Sequence, residues 1–74
     1  MFVKIDVYGT ANKINTLRKE KGLSVRDVQE ALGFNTPQAV YKWLRGDSIP
    51  SVDNLVVLSD LLDATIDEII VREK

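Results

Sequence analysis

The sequence predicts an all-α domain of five short helices, preceded by a short extended segment over residues 1–9. Three observations carry this expectation. Apolar residues recur at helical spacing in five blocks between residues 10 and 70. Each block opens on a residue suited to cap a helix: Thr10, Ser24, Thr36, Ser51 and Thr65. Gly22, Gly33 and Gly46 close the first three blocks.

The extended segment comes first. Val3, Ile5 and Val7 alternate with Phe2, Lys4, Asp6 and Tyr8, which is a strand period. Gly9 ends it. A lone strand has no obvious partner in a helical chain. Three arrangements stay open: disorder, packing along the bundle, or pairing with a second copy.

The first helix runs from the Thr10 cap to about Lys21, with Ala11, Ile14, Leu17 and Arg18 at helical spacing. Lys13, Lys19 and Lys21 take the outer face, and Leu23 plugs the core in the connection. Ser24 opens the second helix with Asp27 three residues on, a weaker capping box than one with Glu or Gln. Its buried positions are Val28, Ala31 and Leu32. Only Phe34 and Asn35 then separate Gly33 from the next cap. Two short helices joined by a tight turn containing glycine form a helix-turn-helix arrangement.

The third helix is the most informative stretch. Thr36 caps it, Pro37 fits the first helical position, and Gly46 suits a left-handed stop. The helix is about ten residues, or ~15 Å, long. Val40, Trp43 and Leu44 make one apolar face. Gln38, Ala39, Tyr41, Lys42 and Arg45 are left outside, on a face that is polar, cationic and free of acids. Such a face suits the DNA major groove. A solvated surface on an ordinary bundle helix has the same pattern.

Beyond the loop Asp47-Ser48-Ile49-Pro50, which tucks Ile49-Pro50 against Trp43, Ser51 caps a fourth helix. Its apolar residues are wider than one stripe. Leu55, Leu58 and Leu62 face the core, with Val57 and Leu61 to one side. Thr65 and Glu68 form a full capping box for a brief fifth helix through Ile69 and Ile70, after which the tail Val71–Lys74 frays.

Composition narrows the function. Seventy-four residues make one domain. There is no Cys and no His, which excludes disulfides, Cys/His zinc sites and imidazole catalysis. The acids Asp60, Asp63, Asp67 and Glu68 lack calcium-ligand spacing, so no metal or cofactor is expected. No apolar run reaches membrane-spanning length, and the N-terminus lacks the basic start of a signal peptide. A cytoplasmic protein with no membrane contact is expected. Net charge is −1, but residues 1–46 carry eight Lys/Arg against four Asp/Glu, whereas residues 47–74 carry two against seven. A basic front and an acidic back can orient a protein toward a polyanion, although a small protein also splits this way by chance. A net-acidic chain is nonetheless a poor non-specific nucleic-acid binder.

The order of these signals resembles the phage repressor and Cro-type helix-turn-helix family, the lambda-repressor-like domains. The resemblance rests on Ile14 through Ser24, Ala31-Leu32-Gly33, Val40 through Gly46, Pro50 through Leu55, and Ile66 through Ile69. It covers about residues 10–70. It implies a five-helix domain whose third helix enters the major groove, with the protein a homodimer on a palindromic operator. Carried over by position, Thr36 through Arg45 would be the recognition helix. Gln38 would read adenine and Lys42 would donate to guanine or phosphate. Tyr41 would reach a phosphate or thymine methyl, and Arg45 would hold the backbone with Lys13 or Arg26. The second helix would aim its N-terminus at a phosphate. Three positions depart from the family pattern. Val25 stands where a phosphate-gripping Gln is frequent, Gln29 where a small residue is usual, and the turn Phe34–Pro37 is one residue longer than the commonest form.

The extra apolar face of the fourth helix, with the C-terminal apolar cluster, reads either as packing or as a dimer seam; the candidates are Val57, Leu61, Ile69 and Ile70. Three functions compete. The first is a sequence-specific regulator of double-stranded DNA. The second is a protein-interaction module on the same fold, such as an antitoxin, antirepressor or adaptor. An enzyme has no support: no nucleophile with a base, no metal cluster and no phosphate loop.

Overall fold

The computed structural model describes residues 4–73, and the expected strand residues Phe2 and Val3 and the tail residue Lys74 lie outside them. The chain forms α1 (Val7–Glu20), α2 (Val25–Ala31), α3 (Gln38–Arg45), α4 (Val52–Leu62) and α5 (Ile66–Ile69). Ile14, Val28, Val40, Leu58, Leu62 and Ile69 are each at most 1% exposed and form the centre of the core. Trp43 joins them, with its ring edge-on to Phe34 at 5.9 Å between centroids.

The start of α1 corrects the sequence reading. Asp6, not Thr10, is the cap, and its carboxylate accepts from the Gly9 N–H at 2.9 Å. Gly9 is inside the helix rather than before it. A glycine there costs about 1 kcal/mol against alanine. A Cβ on it would lie 2.6 Å from the Asp6 carboxylate and 2.9 Å from Val71, so close approach explains the residue. Thr10 is 1% exposed, and its hydroxyl oxygen accepts from the Val71 N–H at 3.0 Å.

The extended segment also has a partner within the chain. Ile5 and Arg72 form an antiparallel bridge. The Asp6 N–H donates to the Val71 carbonyl at 2.7 Å, and the Glu73 N–H donates to that of Lys4 at 2.8 Å. The residues beyond α5 are therefore paired rather than frayed as far as Glu73. This clasp joins the two ends of the described chain beside the first turn of α1.

The caps of α2, α4 and α5 are the expected Ser24, Ser51 and Thr65. Ser24 with Asp27, and Thr65 with Glu68, form reciprocal boxes in which each side chain bonds the other residue's backbone N–H. The α2 box is complete even though its acid is the shorter Asp. Asp63 ends α4 in the left-handed region at φ 52°. Of the loop residues expected against Trp43, Pro50 is buried and Ile49 is 36% exposed. Ala31 is exposed, contrary to expectation, and the core contact at this end of α2 is made by half-buried Leu32, its C-cap.

Both box carboxyls titrate low. The Ser24 backbone N–H, then its hydroxyl, holds the Asp27 carboxyl below the ordinary 3.8. The same two groups of Thr65 hold Glu68 below the ordinary 4.5. A carboxyl depressed on folding contributes stability that is present above its unfolded pKa and lost as pH falls through its folded value. Thermal melts from about pH 6 to about pH 2 should show stability falling below those ordinary values, with a shallower fall in Asp27→Asn and Glu68→Gln. An unchanged acid slope in both variants would remove the caps from the acid transition.

Candidate nucleic-acid interface

The interface is built on α3, which packs on α1 and α2. Its inner residues are fixed by burial: Val40 is 0% and Trp43 5% exposed, and Leu44 is half-buried against the core. Helical geometry then forces Gln38, Tyr41, Lys42 and Arg45 outward, and all four are exposed. Ala39, expected outside, is half-buried against the core.

The N-terminus of α3 differs from expectation. The helix starts at Gln38, and Pro37 is its N-cap, with φ −83° and ψ 3°. The first helical hydrogen bond runs from the Tyr41 N–H to the Pro37 carbonyl at 3.0 Å. Thr36 therefore lies one residue too early to cap, and no side chain bonds the first turn. Thr36 is exposed beside it, within the bend Asn35–Pro37. The helix is 8 residues long, about 12 Å.

Gln29 and the long turn between α2 and α3 compensate for each other. The Gln29 side-chain amide donates to the Phe34 carbonyl at 3.1 Å. The Phe34 N–H donates in return to the Gln29 carbonyl at 3.1 Å. A small residue at position 29 would leave the Phe34 carbonyl without this bond. Val25 is half-buried and packs on the core, so its apolar side chain serves α2 rather than a phosphate.

The charges are less free than the sequence implies. Arg45 pairs with Asp47 at 2.9 Å, and Arg26 pairs with Glu30 one helical turn on at 3.1 Å. All four side chains are more than half exposed, so each pair is weak and can exchange its carboxylate for a phosphate. Among the described residues, no carboxylate lies within ion-pair distance of Lys42. At the start of α2, the Asp27 N–H bonds the Ser24 hydroxyl oxygen at 3.0 Å. The Asp27 carboxylate lies over the Ser24 N–H at 2.8 Å. That helix end already holds a negative charge, which opposes the phosphate contact expected there. Lys13 lies close enough to Glu68 to lower its pKa.

At the other end of α3, Gly46 is left-handed at φ 80° and caps the helix through the Lys42 and Trp43 carbonyls. The Tyr8 ring packs on it, with ring atoms 2.6 and 2.9 Å from where a Cβ would stand. Tyr8 was missed in the sequence because it sits in an alternating run far from α3.

The expected dimer residues separate. Val57 is 38% exposed, and Leu61 and Ile70 are half-buried against the core. Ile69 is 0% exposed and offers no surface to a second copy, because the short α5 lays it against α1 and α4. The most exposed apolar residues of α4 are instead Val52 and Val56, at 72% and 56%. Among the described residues, no helix is long and apolar enough to cross a membrane.

A helix-turn-helix family model matches residues 14–69, most of the chain. The chain belongs to that family, a class of DNA-binding domain that includes the phage repressor and Cro type. Among solved structures it is similar to a transcriptional regulator from Listeria innocua, with a TM-score of 0.74 and 26% identity. The likeness covers 82% of this chain but 56% of that regulator. No curated protein matches the sequence.

Proposed function

We propose that the protein is a sequence-specific DNA-binding transcriptional regulator that inserts α3 into the major groove. The carrying observation is the outer face of α3, where exposed Gln38, Tyr41, Lys42 and Arg45 include no acid. Gln38 reads a base through its amide, Lys42 donates to guanine or phosphate, and Arg45 leaves Asp47 to hold the backbone. Thr36 and Arg26 complete the proposed set of contacts. A dimer formed through Val57, Leu61 and Ile70 would place two such helices on a palindrome.

Selection from a randomised DNA pool at two salt concentrations tests this. The expected result is a palindrome whose half-sites lie about ten base pairs apart. Weak binding without enrichment, vanishing as salt rises, would overturn it. The filled N-terminus of α2 and apolar Val25 favour a second reading, a protein-interaction module on the same fold, in that event.

Two substitutions separate base reading from backbone holding. Gln38→Ala should cost roughly 1–3 kcal/mol on the selected site and relax one base position. Arg45→Ala should weaken every sequence alike and lower the salt slope by about one. Equal losses on all sequences for both variants would sink the assignment.

A further inference from the structure

We propose that Tyr8 is a DNA-contacting residue whose hydroxyl donates a hydrogen bond to a backbone phosphate at the C-terminal end of α3; this rests on the reading of α3 as the groove helix. The ring packs on Gly46, the residue that ends α3, between Arg45 and Asp47. It is nevertheless 71% exposed, more than is usual for tyrosine, which is intermediate in burial. Among the described residues, the phenol hydroxyl has no hydrogen-bond partner.

The dimensions place a phosphate there. A helix of about 12 Å set across a groove about 12 Å wide, with its first turn at the bases, brings its last turn to the groove wall. That wall is a sugar–phosphate strand, and tyrosine hydroxyls are among the groups that bind it. The same phosphate would draw Arg45 from Asp47, so one anion takes a charged donor from α3 and a neutral donor from α1. The Asp6 cap and the terminal clasp hold the first turn of α1, and therefore the ring, in place beforehand.

The test is Tyr8→Phe, which keeps the ring on Gly46 and removes only the hydroxyl. Affinity is measured against the selected operator and an unrelated duplex over a salt series, beside wild type and Arg45→Ala. The expected result is an affinity loss of about tenfold on both duplexes, since a hydrogen bond to a charged group is at stake. The salt slope should not change, because a neutral hydroxyl releases no counterion, whereas Arg45→Ala lowers it. Wild-type affinity on both duplexes would overturn the proposal. A loss confined to the operator would overturn it too, since Tyr8 would then act through base reading. Failure of the wild-type protein to bind any duplex would defeat the groove-helix reading itself.

Discussion

Trp43→Ala should lower the melting temperature by more than about 15 °C and leave little folded protein at 37 °C. Trp43 is 5% exposed and, with Val40, anchors α3 to the core; it is also the residue that meets Phe34. Truncating a buried aromatic to alanine costs about 3–5 kcal/mol, from lost burial and the cavity left behind. A domain of this size has a total stability of roughly 4–11 kcal/mol. The cavity would also open directly beneath the outer face that carries Lys42 and Arg45. Trp43→Phe should cost far less, because it keeps an aromatic ring in the same site. Thermal unfolding followed by far-ultraviolet circular dichroism distinguishes the variants. A melting point for Trp43→Ala within about 5 °C of wild type would show that α3 is not held by this side chain.

The legibility of Trp43 contrasts with what the sequence concealed. The inward set Val40, Trp43 and Leu44 follows from spacing, and once it is fixed the outward set follows by geometry. Local signals of that kind also locate Gly46 and the boxes at Ser24 and Thr65, whose partners lie three residues away. The pairing of Lys4–Asp6 with Val71–Glu73 is different, because its partners are separated by nearly the whole chain. No periodicity within residues 2–8 can announce an acceptor at Val71. That missing contact also misplaced the start of α1, since Gly9 reads as a stop until Val71 is known to press against it. The carboxylate partners of Arg26 and Arg45 were near in sequence but were masked by the reading of both arginines as free donors. In α5, four residues are too few for a face to be read, so buried Ile69 and half-buried Ile70 look alike.

Gly46→Ala should destabilise the domain by about 2 kcal/mol, more than its left-handed backbone alone explains. A non-glycine residue in that region costs roughly 1 kcal/mol. The remainder comes from Tyr8, whose ring atoms lie 2.6 to 3.4 Å from the new Cβ, well inside contact distance. These are the near side of the ring rather than the far end of a flexible chain, so relief requires the ring to leave α3 or the first turn of α1 to shift. The two costs separate in a double-mutant cycle. In a Tyr8→Ala background, Gly46→Ala should cost only the backbone part, a coupling of about 1 kcal/mol measured by urea unfolding. Additive effects would mean that the ring does not bear on the end of α3. A positive coupling would instead establish that the Tyr8 ring on α1 bears on the end of the helix that carries Gln38 and Lys42. Loosening the clasp between Ile5 and Arg72, which borders the first turn of α1, would then disturb α3 without touching any residue on its outer face.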